Sequence, residues 1–420
     1  SASMVGAIVG QLTFGYVGDC LGRAKALGLT QALTIVCAMA SAFAFPIIPN
    51  DEGSVFLFVA LTRLLLGVGV GGVYPLSATI SSESSSAATR GRSCAMVFSM
   101  QGVGTLLVPL IGTLLVAIWG SPEERMARGK AVVGVQWRLL FALGAVPGLA
   151  LVPFSRPARA ASTNSEAASE GQSAQQTPSP SAASTTDGLA QALRSPENWS
   201  KLAGCAGGWF LFDITFYGNT IFQPTVLHII FKTGSGKGPV VDGGTLSTNL
   251  CWQMIILALI GLPGYYVAIY FMERLGRKKI QIQGFAMMAA LYAVLAVFLD
   301  GLEGLPVLLL FVYGMTYFFS NFGPNSTTFI LPSETFPPEV RSTLNGFCAA
   351  AGKVGATLGS ALFKPLISAA GTSVAFWMCA ACALLGVLLT ARFVLDMRPR
   401  EMATGLIEDT VLRDAGCRAT

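Results

Sequence analysis

Long apolar runs separated by short polar loops set the pattern of this chain from its first residues. About 20 mostly apolar residues in a helix cross a bilayer core. On that scale eleven runs qualify as helical spans: 4–18, 26–48, 55–80, 94–119, 131–154, 202–231, 246–272, 280–299, 305–331, 343–369 and 371–396. Several carry Gly or Pro inside, as in Gly67 to Gly72 with Pro75, or Pro324 and Pro332. Backbone groups freed by such breaks survive in lipid only where a neighbouring helix or a wet cavity satisfies them. These segments are therefore expected to line a pathway. The pattern stops between 156 and 200, where Ser162 to Thr186 is Ser, Ala, Gln, Thr and Pro with almost no large apolar residue. Such a stretch buries too little surface to order itself. The expected organisation is a transmembrane half over 1–155, a disordered linker over 156–200, a second transmembrane half over 201–397 and a tail over 398–420.

Composition narrows the class further. Of 420 residues, 53% are apolar and only 12% charged, against about a quarter charged in a soluble domain; the mean hydropathy is +0.61. That excludes a soluble enzyme, and a scattered net charge of +5 gives no nucleic-acid footprint. The loops holding Arg23, Arg90, Arg156, Arg274 and Arg341, with the tail, carry 17 Lys or Arg, and the opposite loops carry five. The positive-inside rule then puts linker and C-terminus in the cytoplasm, with a plasma membrane as the expected location. Nine cysteines are spread through apolar runs, and Cys379 with Cys382, though spaced C-x-x-C, reads as core. One His, His228, gives no basis for a His-metal site or a Ser-His-Asp triad. No metal or other cofactor is expected.

Two loop sequences recur. Asp19-Cys20-Leu21-Gly22-Arg23 returns as Glu273-Arg274-Leu275-Gly276-Arg277, 254 positions on, and Glu83 with Arg90 returns as Glu334 with Arg341, 251 positions on. Two concordant offsets indicate duplication. An acid, a tight Gly turn and an Arg between helices suit an interhelical charge clamp that opens during a conformational cycle.

The chemistry is concentrated in the spans. In Trp209-Phe-Leu-Phe-Asp213-Ile-Thr-Phe-Tyr217 three polar-capable residues lie at i, i+4 and i+8, on one helix face. A mid-span acid costs about 2.5–3.5 kcal/mol on insertion scales and is expected to face a cavity. There Asp213 can take and release a proton, or it can simply pair with a base on another helix. Lys353, in Ala351-Gly352-Lys353-Val354-Gly355, has the same two readings: anion contact or structural ion pair. With Gln101, Asn325 and Tyr74 as hydrogen-bond partners it would make a site for a small oxyanion. Arg63 opens the Gly67–Gly72 stretch, which lacks the Gly-Lys-Ser/Thr ending of a phosphate loop and reads as close helix packing. Arg138 sits near a span end and snorkels.

The acid-x-Leu-Gly-Arg loops resemble the loop signature of the major facilitator superfamily, which implies an all-α membrane fold of two pseudo-symmetric six-helix halves that rock about a central cavity. On that comparison this chain shows about eleven transmembrane helices, two to twelve, and lacks helix one. Gly71-Gly72-Val73-Tyr74-Pro75-Leu76-Ser77-Ala78-Thr79, Met100-Gln101-Gly102, the Trp209–Tyr217 face, Asn321-Phe-Gly-Pro-Asn325 and Ser342-Thr-x-x-Gly346 with Gly352-Lys353 closely resemble the proton-coupled inorganic phosphate symporters of that superfamily. The likeness covers essentially the whole chain outside linker and tail. It implies phosphate contact by Tyr74, Gln101, Trp209, Asp213, Tyr217, Asn325 and Lys353, proton coupling through Asp213 and Arg63, and gating loops at Asp19, Arg23, Glu83, Arg90, Glu273, Arg277, Glu334 and Arg341. Inorganic phosphate and protons are then the cargo and the bilayer the surroundings; a related oxyanion, an organic phosphate, or a sensor that binds without flux are the competing readings. Val73 departs from the family pattern, which has Asp there, and leaves Asp213 as the one proton-linked carboxylate of the family in this chain.

Overall fold

The computed structural model describes residues 2–45, 47, 53–119, 130–151, 182–230 and 248–395. Among its described residues the first half contains α1 (Ala2–Leu21), α2 (Arg23–Ala42), α3 (Ser54–Glu83), α4 (Arg90–Trp119) and α5 (Lys130–Leu143), with a further helical stretch at 146–151. After α6 (Ala182–Arg194) come α7 (Pro196–Ile230), α8 (Thr248–Leu275), α9 (Arg277–Glu303), α10 (Pro306–Asn321), α11 (Pro324–Thr335), α12 (Arg341–Ala370) and α13 (Thr372–Phe393). Among the described residues nine segments are long and apolar enough to cross a membrane, α10 and α11 counting as one. Of the other two expected spans, 202–231 is helical where described, as α7, and 131–154 is two helical pieces, α5 and 146–151, with a turn at 144–145. This is an integral, multi-pass membrane protein.

The duplication is visible in the backbone. Gly22 between α1 and α2 has φ +92°, and Gly276 between α8 and α9 has φ +83°, a conformation that costs glycine nothing and other residues a steric penalty. Each lets one helix end and the next start without a linker. The halves meet in two symmetry-related seams, α1 on α12 and α4 on α8. Small residues bring the helices together, as expected where lipid supplies no hydrophobic drive between them. Gly6 and Gly10 of α1 face the Leu64 and Val68 carbonyls of α3, while Gly67 and Gly71 of α3 face Ser3 and Ala7. The glycine run 67–72 is thus a packing surface. On α12, Gly355 and Gly359 lie against the Phe210 and Ile214 backbone of α7.

Prolines behave unequally. Pro75, Pro109, Pro263, Pro332 and Pro365 sit inside continuous helices. Pro324 instead starts α11 after a break at Phe322 and Gly323, so one expected span is two helices.

One expectation needs correction. The 156–200 stretch is not disordered throughout: 182–194 are helical, and α7 starts at Pro196. Leu189 and Ala192, three apart on one face of α6, pack into a cluster with Val340 and Leu344, which gives this short helix the buried surface it otherwise lacks. Residues 156–181 and 398–420 lie outside the described residues.

Candidate functional site: a buried Lys–Asp pair and an amide–phenol chain between the halves

α7 and α12 carry the charged part of the site. Trp209, Asp213 and Tyr217 line one stripe of α7, and Gly352 of α12 sits against the Trp209 ring, close enough to carry Lys353 to the same stripe. Lys353 Nζ donates to Asp213 Oδ2 at 2.9 Å and to the Tyr217 hydroxyl at 2.9 Å. Asp213 is 2% exposed and Lys353 6%, so the pair is held away from solvent. The ammonium lies 4.3 Å from the Tyr217 ring centroid and 5.4 Å from that of Tyr74, within cation–π range. Tyr74 packs 6.4 Å from Trp209. Both open readings of Asp213 and Lys353 thus converge on one another: each is the other's partner.

A second group is neutral. Tyr265 of α8 donates to Gln101 Oε1 at 2.9 Å, and Asn325 Nδ2 lies 2.8 Å from the Tyr265 oxygen, 2.8 Å from Asn321 Oδ1 and 3.2 Å from Gln101 Oε1. Asn321 in turn donates to the Gly261 carbonyl at 2.9 Å. The chain crosses the α4–α8 seam and uses the break between α10 and α11 to present both asparagines. An aromatic wall joins the two groups: Tyr74 meets Phe329 edge-on at 6.3 Å, Phe329 stacks on Phe98 at 4.6 Å, and Phe98 lies 6.1 Å from Tyr265. Beside this wall a cavity of about 120 Å3 is lined by Gln101, Tyr265 and Asn321 and runs on past Thr220, Gln223 and Tyr317, with room for several waters.

Of the residues expected at the site, Tyr74, Trp209, Asp213, Tyr217 and Lys353 form the charged group, and Gln101 and Asn325 the neutral one. Arg63 joins neither. It lies eleven residues from Tyr74 on α3, about 16 Å along the axis, with its guanidinium 3.8 Å above the Phe141 ring of α5. Arg138 donates to the Ala42 carbonyl at 3.2 Å at a helix end. Tyr265 was passed over in the sequence reading, and Asn321 was quoted only as part of a motif, without a role. A Tyr in an apolar span looks like core, and only the i, i+4 spacing of Asn321 and Asn325 signalled a shared face.

All eight clamp residues gather at one end of the bundle. Arg277 is 1% exposed and meets Glu273 at 2.5 Å and Glu334 at 2.6 and 2.7 Å. Glu273 also accepts from the Arg92 backbone N–H of the other half at 2.9 Å. In the related corner Arg23 contacts Asp19 at 3.4 Å, Glu83 at 3.2 Å and the Pro338 carbonyl at 2.7 Å, while Glu83 also meets Arg341 at 3.2 Å. Asp19 accepts from the Thr343 N–H at 2.7 Å, its hydroxyl at 2.6 Å and the Ser342 N–H at 3.3 Å. Arg90 donates to the Ser82 carbonyl at 3.0 Å, and Ser82 to the Ser333 carbonyl at 3.1 Å. The halves are held together at the clamp end by the bonds that cross between them: Arg92 to Glu273, Arg23 to the Pro338 carbonyl, Arg341 to Glu83, Ser342 and Thr343 to Asp19, and Ser82 to the Ser333 carbonyl. Among the described residues no group of His, Cys, Asp and Glu could hold a metal ion.

Two pseudo-symmetric halves meeting in paired seams make this the major facilitator fold, and solved structures agree. A proton:xylose symporter superposes with a TM-score of 0.70 at 20% identity, over 95% of this chain and 86% of that one. The E. coli fucose:proton symporter does so with 0.63 at 11%, over 93% and 88%. Residues 1–332 match the Major Facilitator Superfamily. "Probable inorganic phosphate transporter 1-6" of Arabidopsis thaliana is 35% identical over 92% of this chain and 80% of its own length. "Low affinity inorganic phosphate transporter 4" of Petunia hybrida is 36% identical over 85% and 71%, and a putative inorganic phosphate transporter of Schizosaccharomyces pombe 32% over 93% and 75%. The chain belongs to the major facilitator superfamily and, within it, to the family of these inorganic phosphate transporters. The superfamily is one of transporters, not of enzymes.

Proposed function

We propose that the protein imports inorganic phosphate together with protons by alternating access, across a plasma membrane, with the clamp end in the cytoplasm. The observation that carries this reading is the buried contact of Lys353 with Asp213 and Tyr217. As a pair the two charges cancel, so Lys353 has no charge to spare for an anion. A proton taken by Asp213 releases the ammonium, and a singly charged phosphate then replaces the carboxylate. The filled site again sums to zero, which matters where like or unbalanced charges are not screened. Tyr217, Tyr74 and Trp209 flank that position, and Gln101, Asn325 and Tyr265 offer neutral donors and acceptors for the remaining oxygens. The cavity past Thr220 and Gln223 supplies the outer approach. The clamps hold the inner end shut until rocking breaks them.

The test is uptake of labelled phosphate into vesicles under an inward proton gradient, with and without a protonophore. Uptake that collapses with the gradient supports the reading. Binding with no flux under any gradient would replace it with a sensor, and arsenate or a phosphate ester outcompeting phosphate would change the cargo.

A further inference from the structure

The seam between α1 and α12 holds two side chains that the site above does not use. Gln11 and Asn345 are both 0% exposed, and neither amide has a hydrogen-bond partner at its nitrogen or its oxygen. They sit at one level of the seam, since Gly346, the residue after Asn345, packs on the Gln11 backbone carbonyl and on Gly15. On the α1 side their surroundings are small: the buried face of that helix is Gly6, Ala7, Gly10, Gly15 and Gly18 apart from Gln11 and Asp19. Buried amides left without partners cost free energy that apolar residues of the same shape would not.

Their position along the seam gives that cost a use. On α12, Asn345 lies eight residues from Lys353, about 12 Å toward the clamp end, and three residues from Ser342, about 4.5 Å short of the clamp bonds to Asp19. Between Asn345 and Lys353 the helix offers only Gly, Ala, Phe and the Cys348 thiol. We infer that Gln11 and Asn345 form a second, uncharged oxyanion station on the inner route, which receives phosphate after it leaves Lys353 and before the clamps release it. Two amide NH2 groups present four N–H donors to phosphate oxygens, and two amide carbonyls accept from its acid hydroxyls. Being neutral, the station holds the anion more weakly than the ammonium does, which a route needs if cargo is to move on as well as enter.

This inference rests on the reading of the cargo as phosphate, and the experiment separates the two. Gln11→Leu, Asn345→Leu and the double variant are reconstituted in the full-length protein. Phosphate KM and kcat are measured for influx from the Lys353 side and for efflux from the clamp side, alongside the melting temperature. Loss of the station raises the efflux KM and lowers influx kcat by about tenfold, leaves the influx KM within about twofold, and keeps or raises the melting temperature. Asn345→Gln, which keeps an amide, recovers most of the efflux affinity. Unchanged efflux KM and influx kcat in the double variant overturns the station. So does a fall in melting temperature with both KM values moved equally, which marks a packing role. Failure of the parent protein itself to move phosphate in either direction refutes the cargo assignment instead.

Discussion

Asp213→Asn isolates the charge exchange proposed at Lys353. The substitution keeps the size of the side chain and removes its charge, leaving an ammonium 6% exposed without its carboxylate. Across the observed 2.9 Å the direct attraction is about 6 kcal/mol at an effective dielectric constant of about 20, most of it offset by desolvation. Removing one member of a buried pair costs about 3–5 kcal/mol. An anion settling on Lys353 returns part of that cost, so phosphate stabilises the variant more than the parent. If about 1.4 kcal/mol is returned, affinity tightens about tenfold. The pH dependence goes too. In the parent, protonation of Asp213 precedes binding, so affinity is high in acid and falls as pH rises; in the variant the competitor is gone, and affinity stays flat over the acidic range in which phosphate itself remains singly charged. Isothermal binding of phosphate to purified protein at several pH values reads both effects, and vesicle uptake reads the loss of proton-driven accumulation. Parent-like pH dependence and uptake in Asp213→Asn would refute the exchange.

Three further outcomes follow from the packing and the clamps. Arg277→Gln leaves Glu273 and Glu334 facing each other without their cation, a loss of about 3–5 kcal/mol from the closed end; the buried Cys94 thiol, next to this corner, is expected to react at least tenfold faster with a permeant maleimide, and an unchanged rate counts against the clamp. Gly346→Leu drives a side chain into the α1 backbone and is expected to lower stability by about 1–3 kcal/mol, whereas Gly104→Ala, with open space at its Cα, leaves the melting temperature in place. Gln101→Leu removes the acceptor shared by Tyr265 and Asn325 and raises phosphate KM by about tenfold; an unaltered KM would detach the neutral group from the site.

The helices and the duplication were legible because both are local. Apolar length marks a span, and Asp19 to Arg23 matches Glu273 to Arg277 letter by letter except where acid replaces acid and Cys20 becomes Arg274. The Trp209, Asp213, Tyr217 face was legible for the same reason: three residues on one helix. What joins helices was not. Nothing in the sequence places Tyr265 between Gln101 and Asn325, because the three come from α8, α4 and α11. The resemblance gave Arg63 a role in proton coupling but no position, and only the packing shows that it lies eleven residues along α3 from Tyr74, against Phe141. The end of the linker was misjudged because the polar letters of 182–194 outnumber the two or three apolar ones that face Val340.

The break between α10 and α11 also determines how the second half can bend. At that point Gly323 touches Gly284 of α9, with the Phe319 carbonyl and the Pro324 ring alongside, so the two helices meet there backbone on backbone with only the proline ring beside them. Turning α11 about that contact works against the bonds from Ser326 to the Asn321 carbonyl, from Asn325 to Asn321 and from Thr327 to Gln281. Asn325 and Glu334 ride on the same short lever, one near its fulcrum and one at its far end. Under the proposed alternating access, a small tilt near Asn325 becomes a longer stroke at Glu334, which would make this segment a mechanical amplifier between cargo and latch.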